Sequence, residues 1–328
     1  MAEDSDALIA DADWPVFGWA DDVRPALRRA IEAGRACVLA TLFRVEGSAP
    51  RGPGAQMLFD GPRVTGYFSG DCIEADVALH AAEVLASGEP QWLHYGMGSP
   101  WIDIRLRCGG ALHVLAERIA PEMAAVQALL QAAERRRTCV WASDGVERTL
   151  SESDGPLLAY SEVPRRVARR FDPPRRLIVS GGDPGALAIA KLGADAQFET
   201  ILLRPGGPDA PPSFANVRYL REEPAEVIAR LGVDRWTAYI GATHEDHHDL
   251  GGCLAALRGG AGYVGMIGAR SRAPARLGAL EAAGARPDEL ARLHLSPGIT
   301  GLGKSPWEVG TGIIAEVMQA LNPARERA

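Results

Sequence analysis

The sequence has no long apolar run, few cysteines and no excess of basic charge, and each shortage excludes a class of protein. No apolar run among the 328 residues is long enough to span a bilayer, which argues against membrane insertion. The formal net charge of −7 argues against a nucleic-acid binder that depends on a basic surface. The five cysteines are scattered, and the acidic start "MAEDSDALIADADWP" lacks the apolar core of a signal peptide. These features predict a cytoplasmic protein with reduced thiols.

The length predicts two domains, and 47% hydrophobic with 23% charged residues is an ordinary globular balance. In the first half, short β-type runs alternate with helical patterns at 21–34, 71–87 and 121–136, which predicts an α+β domain. The basic, proline-containing stretch "VPRRVARRFDPPRR" at 163–176 is either a linker or a charged surface helix. We place the two domains at 1–165 and 166–328.

The second half has a different pattern of predicted elements, in which a strand, a glycine-rich turn and a helix follow one another. "RLIVSGGDPGALAIAKLGADAQFETILLRPG" has the pattern of one βαβ unit, and "VRYL", "WTAYIGATH", "AGYVGMIGAR" and "RLHLSPG" are further candidate strands. This alternation predicts an α/β, Rossmann-like, doubly wound parallel sheet.

A cysteine stands where a glycine turn meets a helix in "GYFSGDCIEADVALHA". Asp71 is a suitable N-cap and Glu74 completes a capping box, which puts Cys72 at about the first helical position. A thiol at a helix N-terminus has a lowered pKa because free N–H groups favour the thiolate. Cys72 is therefore either a reactive or ligating sulfur or a small buried residue.

A second cysteine, in "RLRCGG", has a comparable setting. Cys108 precedes Gly109 and Gly110 as Cys72 follows Ser69 and Gly70, and small neighbours permit close approach of the backbone. Two such thiols in one domain could converge on a soft metal or a transferred sulfur. Ser48 and Arg51 in "GSAPRGPGAQML" suit an anionic ligand, whereas the other cysteines, Cys37, Cys139 and Cys253, lie in core-like runs.

In the second half, Gly181, Gly182 and Gly185 surround Asp183 at the start of a predicted helix, where a dinucleotide fingerprint would stand. Asp183 would repel a diphosphate, and Arg204 follows the next strand where an NAD-binding protein usually has an acidic residue. NAD(P), another phosphate and no nucleotide all remain open.

The segment "YIGATHEDHHDLGG" brings a cluster of polar residues to the carboxyl edge of the predicted sheet, where α/β folds bind ligands. These polar residues are either metal ligands or the solvated start of a helix. They are His244, Glu245, Asp246, His247, His248 and Asp249. Arg270 follows the next strand and is either an anion ligand or a surface charge.

Several segments together resemble the XdhC/CoxI family, whose members are maturation factors for xanthine dehydrogenase and related molybdenum hydroxylases. The resemblance rests on "VLATLFRVEGSAPRGPGAQMLF", "GYFSGDCIEADVA", "IRLRCGG", "YVGMIGARSR" and "SPWEVGTGIIAEVM", in the family's order over roughly residues 25–320. Asp71, Asp183 and Arg204 depart from the usual family pattern.

The resemblance implies a carrier more than an enzyme. Such proteins bind the molybdenum cofactor (a molybdopterin), protect it, take part in its sulfuration with a cysteine desulfurase and insert it into the apo-enzyme; a homodimer is expected. By position, the family's binding residues correspond to Ser48, Arg51, Ser69, Gly70, Cys72, Glu74, Cys108, Gly109 and Gly110. We predict that Cys72 and Cys108 ligate the metal. The alternatives are an NAD(P)-dependent Rossmann oxidoreductase with His244 as proton donor, and an adaptor that holds no ligand.

Overall fold

The structure is a computed structural model that describes residues 17–18, 20–61, 63–70, 73–96, 99, 109–243 and 245–322. The chain divides into two compact units, Met1–Pro173 and Pro174–Ala328. The first unit contains strands β1 (Phe17–Gly18), β2 (Cys37–Glu46), β3 (Gln56–Asp60), β4 (Arg63–Thr65), β5 (Gln91–Gly96), β6 (Ala111–Ile119), β7 (Cys139–Ser143), β8 (Arg148–Ser151), β9 (Leu158–Glu162) and β10 (Arg165–Phe171). Its helices are α1 (Arg24–Glu32), α2 (Glu74–Ser87) and α3 (Ala124–Glu134).

The first unit is built on a six-stranded sheet of order β1-β4-β3-β2-β6-β5, with a second, four-stranded antiparallel sheet of order β8-β7-β10-β9. The central strand β2 is buried from Cys37 to Phe43, because both faces of the larger sheet are covered. One face packs against α2, through residues such as Ala40, Val77 and Val84. On the other face Leu39 packs with α1 and α3. This arrangement confirms the predicted α+β character of the first half.

Three helices begin later than their sequence patterns predict. The first begins at Arg24 and not at residue 21, and the third begins at Ala124 and not at 121. The second begins at Glu74, with Ile73 as an N-cap that makes no side-chain hydrogen bond, so the predicted start at residue 71 is wrong; the predicted N-cap, Asp71, lies outside the described residues. It ends at Gly88, whose left-handed backbone (φ 80°) suits glycine.

The basic stretch at 163–176 is mostly a strand. Its residues Arg165–Phe171 form β10, which pairs with both β7 and β9 in the smaller sheet. Burial increases along this strand, from the exposed Arg165 to the buried Arg170 and Phe171, and Arg170 is paired with Asp172. The boundary between the two compact units lies between Pro173 and Pro174, within this stretch and eight residues after the boundary placed from the sequence.

The second unit alternates strands and helices. Its strands are β11 (Arg176–Ser180), β12 (Glu199–Leu203), β13 (Val217–Leu220), β14 (Thr237–Gly241), β15 (Tyr263–Met266) and β16 (Leu293–Leu295). Its helices are α4 (Pro184–Asp195), α5 (Pro224–Leu231), α6 (Asp246–Gly259), α7 (Ala273–Ala282), α8 (Pro287–Leu290) and α9 (Pro306–Ala320), with a 3-10 turn at Arg270–Arg272.

All six strands of the second unit are parallel, in the order β13-β12-β11-β14-β15-β16. Helices α4 and α9 cover one face, and α5 and α6 cover the other. This is the doubly wound Rossmann order, with its switch point between β11 and β14. The predicted Rossmann-like parallel sheet is confirmed. Among the helices that the structure describes, none is both long and apolar enough to cross a membrane.

Candidate functional sites

The strand pairing of the first unit brings two of the sequence motifs together at one end of its larger sheet. Glu46, the last residue of β2, lies opposite Ala111, the first residue of β6. Ala111 in turn lies opposite Gly96, the last residue of β5. These residues define one end of the sheet, which we call the motif edge. Strand β4, which is antiparallel to β3, runs in the same direction as β2 but ends at Thr65, in register with Leu58 and Leu39. The segment after β4 therefore meets the loop after β2 through side chains and not through strand register.

At the motif edge, the Ser48 loop and the glycines before β6 are in backbone contact. A Cβ atom added to Gly110 would lie 2.7 Å from the carbonyl oxygens of Glu46 and of Ser48. Such a distance is too short for any side chain, so glycine is required at this position. Gly109 has room for a Cβ atom but a left-handed backbone (φ 68°), and Ser48 is exposed. Predicted residues from two motifs are thus brought together.

Arg51 joins the same loop to the segment after β4. Its guanidinium lies over the Tyr67 ring, 4.8 Å from the ring centroid, and donates to the carboxylate of Asp21. Although burial works against it, hydrogen bonds to Tyr67 and Asp21 raise the pKa of Arg51. The predicted anion ligand is therefore already paired with an acid of this chain, and in this structure it ties loops together.

Glu74 organises the loop that precedes α2. Its Oε1 atom accepts the backbone N–H groups of Phe68 (2.9 Å), Ser69 (2.6 Å) and Gly70 (2.9 Å). Its Oε2 atom accepts the Ser69 hydroxyl at 2.7 Å, and the residue is only 5% exposed. Burial works against ionisation, but these hydrogen bonds outweigh it and lower the pKa of Glu74. Glu74, Ser69 and Gly70 thus form a fixed loop through bonds to one another.

The two cysteines predicted to ligate metal, Cys72 and Cys108, lie outside the described residues. Of their described neighbours, Gly109 adjoins the motif edge and Gly70 belongs to the segment after β4. The other three cysteines are buried, as predicted. Burial raises the pKa of Cys37 to about 12 and raises the pKa values of Cys139 and Cys253, which keeps these thiols protonated and inert.

A histidine pair next to the motif edge was not anticipated from the sequence. His94 and His113 face each other across β5 and β6 and stack with ring centroids 4.3 Å apart. Nε2 of His113 lies 3.1 Å from Oε1 of Glu46. Burial lowers the pKa of His113 despite this carboxylate, so its imidazole is neutral at neutral pH. Alternation along each strand indicates half-buried positions, but only the pairing register reveals the stack.

In the second unit, the glycine-rich turn after β11 lies at the switch point. A Cβ atom on Gly181 would come within 2.4 Å of the carbonyl oxygen of Ala242, so the turns after β11 and β14 touch. Asp183 is the N-cap of α4 and accepts the N–H of Ala186 at 2.7 Å. The Arg204 guanidinium lies over Gly182, and Gly185 lies beside the Asp183 carboxylate. Side chains of this chain thus cover the positions that a diphosphate uses in dinucleotide-binding relatives of the fold.

The turn after β14 is held in a way that parallels the Glu74 loop. Asp249, which is fully buried in α6, accepts the backbone N–H of Thr243 at 3.0 Å and its hydroxyl at 2.8 Å. His244 lies outside the described residues. Arg270 is exposed in the 3-10 turn after β15, whereas the nearby Arg276 is 5% exposed and donates to the carbonyl of Ile267.

A further polar cluster lies at the start of α6, where Glu245, His247 and His248 bring one ligand atom each to within 4.8 Å of one another. Its partner Glu223 was missed by sequence reasoning because it stands 25 residues before His248. The sequence did carry one signal for the cluster itself. Residues 244–248 read HEDHH, which fits the His-Glu-x-x-His pattern of helical zinc sites.

Two family models match this chain, one in each unit. Residues 30–96 match the XdhC and CoxI family, and residues 177–317 match the XdhC Rossmann domain. Together the matches extend over more than half of the chain. The chain belongs to the XdhC and CoxI family.

Individual relatives of this XdhC/CoxI protein agree with that assignment. It is 29% identical to the molybdenum cofactor insertion chaperone PaoD of Escherichia coli over 307 residues, which are 90% of this chain and 88% of the relative. It is 25% identical to a probable subunit of xanthine dehydrogenase from Bacillus subtilis, over 88% of this chain and 94% of the relative. A crystal structure of a xanthine dehydrogenase from Bacillus halodurans has the same fold, with a TM-score of 0.71, 20% identity, and coverage of 93% of this chain and 96% of that one.

Proposed function

We propose that this XdhC/CoxI protein is a molybdenum cofactor insertion chaperone. It binds the cofactor as cargo, protects it, takes part in its sulfuration and inserts it into a molybdenum hydroxylase of the xanthine dehydrogenase type. The observation that carries the proposal is the contact among three family motifs of the first unit, in which the Ser48 loop touches Gly110 and its Arg51 lies over Tyr67. The similarity over most of the chain to a protein named as such a chaperone supports it.

The chemistry of the proposal rests on two sulfurs, those of Cys72 and Cys108. Soft thiolates suit molybdenum, and a sulfido group is passed on by thiolate chemistry. Cys108 is followed directly by Gly109, which lies at the motif edge, and Cys72 stands two residues after Gly70. The bonds from Glu74 to residues 68–70 fix the backbone that leads to Cys72. Such a fixed loop presents a ligand with little loss of entropy on binding.

Two partners follow from this role. A cysteine desulfurase supplies the sulfur, and the client hydroxylase receives the finished cofactor. We further propose that the protein acts as a homodimer, as its family resemblance implies, and that it is cytoplasmic, as its scattered cysteines indicate.

The test is cofactor retention. The chain and its variant C72A/C108A are produced in a host that makes the cofactor, purified, and assayed for bound molybdenum and pterin. We expect the double variant to lose most of the bound molybdenum. The variant C139A is the matched control, because Cys139 is a buried cysteine of the same unit. We expect C139A to retain the cofactor. Full retention by a folded double variant would overturn the assignment of these cysteines.

A second arm addresses the oxidoreductase alternative, which the Rossmann strand order favours. NADH and NADPH are titrated against the protein, with binding followed by nucleotide fluorescence. Because Asp183 caps α4 and Arg204 covers Gly182, we expect no saturable binding of either nucleotide. Tight binding would favour the dehydrogenase function instead.

A further inference from the structure

The start of α6 carries a cluster of metal-ligating side chains that the proposed chaperone function does not use. Glu245 is the N-cap of the helix, and His247 and His248 lie in its first turn. Nε2 of His248 lies 3.6 Å from Oε2 of Glu245, and Nε2 of His247 lies 4.0 Å from the same oxygen. The two imidazole rings are 3.8 Å apart between centroids.

These separations are close to those of a metal site. Ligands at 2.0–2.1 Å from a tetrahedral ion are about 3.4 Å apart. The two contacts of Glu245, at 3.6 and 4.0 Å, need to shorten by a few tenths of an ångström, and the widest separation in the cluster, which is within 4.8 Å, by up to about 1.4 Å. Two of the side chains can move to achieve this, since those of His247 and Glu245 are 70% and 63% exposed. The third, His248, is only 14% exposed and forms the rigid member.

A second, independent observation points to a ligand on His248. Its Nδ1 atom lies 2.7 Å from Oε2 of Glu223, the N-cap of α5. When Nδ1–H donates to that carboxylate, Nε2 keeps its lone pair and faces Glu245 and His247. Metal-binding histidines are usually oriented by a carboxylate in this way, which fixes the tautomer and raises the basicity of the ligating nitrogen.

The local charge also permits a cation. The N-terminus of a helix carries about +0.5 elementary charge, which disfavours a metal ion. Glu245 and Glu223 together bring two negative charges. Asp246 is paired with both Arg272 at 2.5 Å and Arg276 at 3.5 Å, so this trio leaves one positive charge beside the cluster. The two glutamates still outweigh that charge and the helix terminus together, so the local charge permits a divalent ion.

We propose that Glu245, His247 and His248 bind a divalent first-row metal ion of the zinc class, with Glu223 orienting His248. Two imidazoles and one carboxylate suit Zn²⁺, Co²⁺ or Ni²⁺ rather than Mg²⁺ or Ca²⁺, which prefer oxygen ligands. In helical His-Glu-x-x-His sites the glutamate is a general base and both outer histidines lie on one helix face. Here α6 begins only at Asp246, so Glu245 stands before the helix and serves as a ligand. Three ligands leave a coordination position open at the switch point of the sheet.

The site is tested with Co²⁺, whose visible spectrum reports coordination number and sulfur ligation. The titration uses the full chain carrying C72A/C108A, so that thiolates proposed for molybdenum do not compete and failure of one proposal leaves the other intact. We expect one Co²⁺ per chain, no thiolate band, displacement by Zn²⁺ and no displacement by Mg²⁺.

Point variants in the same background locate the ion. H247Q should weaken Co²⁺ binding at least about tenfold, and it should fold normally because its side chain is exposed. E223Q should weaken binding roughly tenfold without removing a ligand. The matched control is H294Q, since His294 also contacts a glutamate at 2.7 Å, in the pair with Glu316, and is not among the three clustered ligands. No saturable Co²⁺ binding, or equal affinity in H247Q and H294Q, would overturn the proposal.

Discussion

The variant E74Q tests whether one buried carboxylate holds the loop before α2. Glu74 is 5% exposed and accepts three backbone N–H groups and one hydroxyl. A glutamine keeps the shape and one carbonyl oxygen but loses the charge. A hydrogen bond to a charged group is worth about 1 kcal/mol more than a neutral one, and three N–H bonds are affected. Because Ser69 and Gly70 are partly exposed, we expect a loss of about 2–3 kcal/mol.

The same carboxylate predicts a dependence on pH. The pKa of Glu74 is lower in the folded chain than its ordinary value, despite the opposing effect of burial. Its stabilising contribution is therefore complete above the ordinary pKa and is lost as the pH falls through the lowered value. The difference in stability between the native chain and E74Q should shrink on acidification, since glutamine does not titrate.

Urea unfolding, followed by circular dichroism and tryptophan fluorescence at neutral and successively lower pH, measures both effects. The control is E83Q, on the same helix, where the side chain is 65% exposed and accepts one bond from Gln91. We expect that control to change the free energy of unfolding by less than about 0.5 kcal/mol. If E74Q were no less stable than E83Q, or if its deficit did not depend on pH, the role assigned to Glu74 would be refuted.

Two further changes probe the first unit. In G110A the new Cβ atom would lie 2.7 Å from the carbonyl oxygens of Glu46 and Ser48. We therefore expect the free energy of unfolding in urea to fall by about 1–3 kcal/mol and molybdenum retention to weaken. Unchanged values for both would contradict the close approach at the motif edge. The Glu117 carboxylate is 1% exposed and lies 2.6 Å from Arg148 Nε. Because R148A removes its charged partner, we expect the free energy of unfolding to fall by about 3–5 kcal/mol. The double change R148M/E117Q should recover part of that stability, and a loss below about 1 kcal/mol in R148A would mean that the pair is not buried as described.

Much of the fold could be predicted because its signals are local. "QWLHYG" corresponds residue for residue to β5, and the alternation of strand, glycine turn and helix after residue 174 corresponds to the six parallel strands. Helix starts were predicted less accurately. Asp71 and Glu74 have the spacing of a capping box, but the helix begins at Glu74, and the Glu74 carboxylate accepts backbone N–H groups from earlier in the chain, such as that of Phe68. The stretch at 163–176 was open to a linker or a helix, and neither alternative included the strand β10 that its residues 165–171 form.

The candidate sites were harder to predict, because partners come from distant segments. Arg51 pairs with Asp21, thirty residues away, and His248 pairs with Glu223. Asp183 is the N-cap of α4, and its expected repulsion of a diphosphate stays a prediction. The predicted convergence of Cys72 and Cys108 stays a prediction, since both lie outside the described residues.

The sequence by itself determined the elements, their order and the chemical character of each motif, because periodicity, caps and glycine turns act over a few residues. Only the tertiary structure decided which motifs meet, because strand register is a long-range property: it placed Glu46, Gly96 and Ala111 side by side from three separate segments. It also decided which polar groups remain available for ligands. A carboxylate such as that of Glu74 binds whichever N–H groups the folded backbone brings to it, and here these are Phe68, Ser69 and Gly70.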